Sequence, residues 1–96
     1  PEGDWRNTYF VPENLIPTVE KVDALKKSVP AGMTLPEMAL RFILSEPAVA
    51  TTIPGMRKTT HVTSNMKTSD DGPLSPDLIR ELRKHRWDRK PRPWSQ

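Results

Sequence analysis

Ninety-six residues allow one domain at most, and a chain of this length buries only about 60–65% of the surface its unfolded form exposes, so any core is small. The absence of cysteine excludes a disulfide framework and a thiolate metal site, while 34% hydrophobic residues, 28% charged residues and 11 prolines exclude a long coiled coil and a fully disordered chain. The net charge of +3 is uneven: residues 1–58 balance seven Lys/Arg against seven Asp/Glu, whereas residues 59–96 carry eight against five.

Residues 1–12 show no hydrophobic period and read as an irregular loop. Within it, Asp4 and Arg6 either line a cleft or form a surface salt bridge beside a packed Trp5. From Asn14 to about Ser28 the apolar positions Leu15, Val19, Val22, Leu25 and Val29 step by four and three, the spacing of a helix with one apolar face. Asn14 is its expected cap, with Pro17 in the first turn, where a missing N–H is no loss. Glu20, Lys21, Asp23, Lys26 and Lys27 form its wet side.

Pro30-Ala31-Gly32 breaks the chain, and Thr34-Leu35-Pro36-Glu37 restarts it with capping-box spacing, Thr34 reaching forward and Glu37 reaching back. The helix expected over 34–46 carries Leu35, Met38, Ala39, Phe42 and Ile43 on one face and Leu40 and Leu44 on another, so it needs partners on more than one side. Pro47 ends it. Residues 48–53, with the β-formers Val49, Thr51 and Ile53 between Pro47 and Pro54, read as a strand covered on both faces. Residues 54–66 read as a loop followed by a helix that Thr59 or Thr60 caps and that Val62 and Met66 mark by their spacing. Lys67–Pro73 reads as a polar loop with Asp70-Asp71-Gly72-Pro73 as its turn. A last helix over 75–87 is capped by Ser75, with Pro76 at its first position and a Leu74 to Ile79 hydrophobic staple. Beyond Trp87 the polar, proline-rich tail is expected to hold little order.

The stretch Ala48 to Asn65, AVATTIPGMRKTTHVTSN, concentrates the chemistry. Strand, Pro54-Gly55 turn, the cations Arg57 and Lys58 and a helix start would bring free N–H groups, a helix dipole and a guanidinium together, which is how a phosphate is commonly held.

Taken with its flanks, TLPEMALRFILSEPAVATTIPG upstream and LSPDLIRELRKHRWDR downstream, and with GDWRN and YFVPENL near the start, this stretch resembles the C-terminal part of bacterial aldo-keto reductases. The resemblance covers nearly the whole chain. It implies an α/β fold by parentage: the last third of a (β/α)8 TIM barrel, which typically needs about 250 residues. By content the chain would be mainly helical, with 48–53 as the last barrel strand and the N-terminal barrel segment missing. An opening Pro1 without methionine also fits a fragment or a processed product.

The family reduces aldehydes or ketones by hydride transfer from NADPH, using an Asp, Tyr, Lys and His tetrad on earlier barrel strands. Tyr9 is the only tyrosine and lies in the loop, and His61 and His85 sit outside that motif, so the resemblance assigns no catalytic residue here. What it carries over is half of the NADP(H) site. Many members place Lys-Ser after the last strand, Arg five positions beyond the Ser, and Glu-Asn further on, around the adenosine 2′-phosphate and adenine. Here Gly55-Met56, His61 and Ser64-Asn65 stand at those places. Bacterial relatives often read Ile-Pro-Gly, a small residue, then Arg or Lys, which Ile53-Pro54-Gly55-Met56-Arg57 matches except for Met56. The resemblance thus assigns Arg57 to the 2′-phosphate, the N–H groups of Gly55 and Met56 to phosphate, and Asn65 to the adenine edge. His61 fits stacking on adenine, a phosphate contact or a plain helix surface, Asn65 equally fits a helix end, and Arg57 and Lys58 also fit solvated surface cations.

Two other classes of function stay open. HRWDRKPRPW interleaves cations with tryptophans, the composition of a basic-tailed nucleic-acid contact, and the helical content alone would suit a small protein-interaction module. Uncovered apolar faces and strand edges would favour self-association. No run approaches the roughly 18 apolar residues of a membrane span, and no signal-peptide pattern opens the chain, so a cytoplasmic setting is expected.

Overall fold

A computed structural model describes residues 2–88, along which five helices follow one another: α1 (Arg6–Tyr9), α2 (Pro12–Lys26), α3 (Leu35–Leu44), α4 (Thr59–Asp71) and α5 (Pro76–Arg83). The tail cations Arg89, Lys90 and Arg92 lie outside the described residues.

The opening loop contains a helix of one turn. Asp4 accepts hydrogen bonds from the Arg6 backbone N–H at 3.0 Å and from Arg6 Nε at 2.8 Å, closing that turn. The salt-bridge alternative for this pair is the one observed, but Trp5 remains 65% exposed and is not the packed ring expected beside it. The buried hydrophobic side chains lie on α3, on α5 and in the link before α5.

Helix α2 starts at Pro12, two residues earlier than Asn14 would have capped it, with Val11 at the N-cap. A proline at the first position suits a helix start because its missing N–H would have no partner there. Pro17 therefore falls inside the helix, where it leaves the Glu13 carbonyl without its usual donor. The apolar stripe is only half used: Leu25 packs against the core, whereas Leu15 and Val19 stay exposed.

Helix α3 forms one half of its capping box. Thr34 Oγ1 accepts the Glu37 backbone N–H at 3.3 Å, but the Glu37 carboxylate accepts from Arg41 at 3.2 Å instead of reaching back. This helix delivers Met38 to the core, where it meets Leu74 and Leu82, with Leu25, Val29, Met33, Leu35, Leu78 and Ile79 around them. Three buried hydrophobic residues are a small core for the described chain, in keeping with its length. Phe42 and Ile43, expected on the same face as Met38, remain exposed.

The strand expected at 48–53 does not form. Residues 50–57 run without regular structure, and among the described residues they make no backbone–backbone hydrogen bond. A strand is defined by pairing, and among the described residues no second strand offers it. Ile53, expected to be covered on both faces, is 91% exposed.

Helix α4 differs from expectation at both ends. Lys58 occupies the N-cap without a side-chain cap, and Thr59 and Thr60 are already helical. The helix then runs through Asp71, so 67–71 is not loop. Its last turns gain support from Lys67, whose ammonium pairs with Asp71 at 2.7 Å, the contact that chiefly raises the Lys67 pKa. Met66 is exposed, and Thr68 is the residue this helix buries.

Helix α5 follows the sequence closely. Ser75 Oγ accepts the Leu78 N–H at 3.3 Å, Pro76 opens the helix, and Leu74 and Ile79 share the core cluster as a staple would. It ends at Arg83 rather than at Trp87.

Candidate functional site

Four of the five candidate cofactor residues lie in the ribbon before α4 or in its first turn: Gly55, Met56, Arg57 and His61. Asn65 lies one turn further along α4, and the fold turns it back onto the ribbon, where its Nδ2 donates to the Gly55 carbonyl at 3.4 Å. That bond joins residues ten positions apart and encloses Arg57 and Lys58.

Arg57, Lys58 and His61 are exposed, and among the described residues their side chains make no hydrogen bond or ion pair. Lys58 at the N-cap offers no side-chain acceptor, and the first amides of α4 to be bonded are those of His61 and Val62, both to the Lys58 carbonyl. The N–H groups of Thr59 and Thr60 are therefore open at the positive end of the helix dipole. Open amides and two exposed cations are an arrangement suited to an anion. No protein atom lies within 4 Å of the place a Cβ would occupy on Gly55, so packing within the chain does not demand glycine there.

Behind the ribbon lies a groove of about 220 Å³ whose walls include Leu40, Leu44, Pro54, Met56, Asn65 and Thr68. Complete small-molecule sites usually span roughly 300–1,000 Å³, so this groove can seat part of a ligand of that size and not the whole. Asn65 uses its amide N–H on Gly55, and its side chain lines this groove.

Sequence reasoning did not single out Leu40, Leu44 or Thr68 as walls of this groove. The signal was present in part, because Leu40 and Leu44 break the single-face pattern of α3 and so have to meet a second element.

A larger apolar groove of about 830 Å³ lies elsewhere, between α2, α3 and α5, and includes Leu25, Met38, Phe42, Leu82 and Trp87. It contains none of the candidate cofactor residues. Asp4 and Arg6 lie apart from both grooves, with the Asp4 carboxyl held down to about 2 by the hydrogen bonds from Arg6. No helix among the described residues is long and apolar enough to cross a membrane.

The model of one protein family, described as the Aldo/keto reductase family, matches residues 4–86. No curated protein and no solved structure matches the chain.

Proposed function

Because the chain belongs to the Aldo/keto reductase family, we propose that it supplies the adenosine end of the NADP(H) site of an NADPH-dependent carbonyl reductase. Membership makes it part of an oxidoreductase family whose parent fold is the TIM barrel, with a nicotinamide cofactor and a carbonyl substrate as the parent's partners. The observation that carries the finer reading is the exposed, unpaired Arg57 beside the open amino end of α4 and the groove that Asn65 helps to line.

In this reading the Arg57 guanidinium holds the 2′-phosphate as a charge-assisted pair. The open N–H groups of Gly55 and Met56 share the phosphate charge, His61 lines the same side, and Asn65 Oδ1 accepts from the adenine amino group. When bound, NADPH supplies the hydride that reduces the carbonyl carbon. The proton that completes the alcohol comes from a tetrad that this chain does not contain, so the 96-residue chain alone is catalytically incomplete. Residues 48–53 become a strand only when another strand pairs with them.

The test is made in a protein that joins this segment to the rest of a barrel. Arg57→Ala should weaken NADPH binding by about 1.5–3 kcal/mol, the range of a hydrogen bond to a charged group, and leave NADH binding nearly unchanged, since NADH lacks the 2′-phosphate. Equal losses for both nucleotides would mean that Arg57 shapes the loop and does not read the phosphate.

A further inference from the structure

Helix α4 ends badly by its own sequence. Its last turn carries Asp70 and Asp71 and no basic residue, so two carboxylates sit at the negative end of the dipole and the final carbonyls lack donors. For the Asp71 carbonyl and the two that follow the helix, donors come from another helix. Arg41 of α3, whose side chain is only 16% exposed, donates from Nε to the Gly72 carbonyl at 2.9 Å and from Nη2 to the carbonyls of Asp71 and Pro73, each at 3.3 Å. Its Nη1 is held by Glu37 at 3.2 Å, which fixes the plane of the guanidinium. One turn on, Ser45 Oγ donates to the Arg41 carbonyl at 2.6 Å and accepts the Leu74 N–H at 2.8 Å.

The same helix connects this clamp to the candidate site. Thr68, buried on the inner face of α4, donates its hydroxyl to the Asn65 carbonyl at 2.6 Å, and Asn65 in turn reaches Gly55. Asn65 and Asp71 are six residues apart, about 9 Å along one rigid helix. The amino-terminal half of α4 has exposed side chains at Thr59, Thr60, His61, Thr63 and Ser64 and little packing of its own. Its direction is therefore set from the carboxyl end.

We propose that Arg41 is a positioning residue for the adenosine-end loop: by gripping the carbonyl of Asp71, the last residue of α4, and those of Gly72 and Pro73 just beyond it, Arg41 sets the seating of that helix, and so places Asn65 on Gly55 and the open α4 amides beside Arg57. The proposal rests on the reading above for the nucleotide only; the placement of Asn65 is a property of the chain itself. Lysine cannot replace the guanidinium, because the planar fork that serves neighbouring carbonyls in fixed directions is specific to arginine.

The test is amide hydrogen exchange by NMR on the 96-residue chain, comparing wild type with R41M and R41K. With Arg41→Met, the Asn65 side-chain amide and the backbone amides of Val62–Asn65 should shift and lose protection, while those of Met38 and Leu82 stay protected. Arg41→Lys should produce the same pattern in weaker form. Losses confined to residues 71–74, with Asn65 unchanged, would overturn the proposal. If Arg41→Met unfolds the chain, Arg41→Lys decides: an unchanged Asn65 signal in that folded variant overturns it equally. Titration with NADPH and NADH separates the two readings. In the protein that joins the segment to a barrel, both affinities should fall together by about two- to thirtyfold in R41M, unlike the selective loss in R57A. Failure of the wild type to bind either nucleotide, with the exchange pattern intact, would sink the cofactor reading and leave the positioning role standing.

Discussion

The ammonium of Lys21 stands 4.7 Å from the centre of the Trp87 ring, so that α2 holds the segment that follows α5. Ser28 and His85, 57 residues apart, make a second link between the same two regions at 3.3 Å. A cation over an indole face is worth about 0.5–1 kcal/mol at an exposed site. A double-mutant cycle with Lys21→Met and Trp87→Leu, read by denaturant melts, should return a coupling of about that size. Strictly additive effects would show that the two groups are neighbours without an energetic link.

Helix caps offer a contrast within one chain. Thr34 and Ser75 each accept a backbone N–H from the third residue of their helices, and Thr34→Ala or Ser75→Ala should each cost about 1 kcal/mol. Thr59→Ala should cost much less, because Lys58 and not Thr59 occupies the N-cap of α4. Equal losses at all three positions, measured by thermal melts, would contradict the observed start of α4.

The pH dependence at the amino end follows from Asp4. Its carboxyl is lowered from 3.8 to about 2, chiefly by the side-chain hydrogen bond from Arg6 and next by the Arg6 backbone N–H. A depressed folded-state pKa stabilises the fold above the unfolded value, and that contribution is lost as pH falls from near 4 through about 2. An NMR titration of the Asp4 carboxyl should find its midpoint near 2 and, in Arg6→Gln, a midpoint closer to 3.8. Because one partner is well exposed, the global melting temperature should hardly follow this titration.

Association is the expected behaviour of the chain on its own. Met38, Leu74 and Leu82 are buried, while Ile16, Ile53 and Met66 are mostly exposed and the 830 Å³ groove is apolar. Apolar surface on this scale favours contact between copies. Sedimentation at rising concentration should show species larger than a monomer. A monomer with a sharp cooperative melt would show that the small core suffices. In that core, Met38→Ala should cost about 2–5 kcal/mol.

Local chemistry was legible where a few adjacent residues decide the outcome. Thr34, Ser75, Pro76 and the Leu74 to Ile79 staple act as their order in the chain suggests, because each signal needs only one turn of helix to operate. Gly55, Met56, Arg57 and His61 follow one another closely in the chain, whereas the return of Asn65 onto the Gly55 carbonyl depends on the course of α4. The rest depends on partners distant in sequence. Strand-forming residues at 48–53 cannot pair by themselves, and the β-propensity of Ile53 is decided by a neighbour it does not have here. The extension of α4 through Asp70 and Asp71 runs against the helix dipole and is supported by Lys67, which pairs with the Asp71 carboxylate, and by Arg41, 30 residues earlier, which donates to the Asp71 carbonyl. The last turn itself carries no basic residue.

The unpaired ribbon before α4 has a built-in limit. Its main-chain donors and acceptors at Ala50, Thr51, Thr52 and Ile53 form no backbone–backbone bonds among the described residues, so an extended segment from another molecule could anneal along them. Pro54 has no N–H and interrupts any such ladder after four residues, and the Gly55 carbonyl beyond it already accepts from Asn65. A proline in that place limits strand addition along the ribbon to a short register.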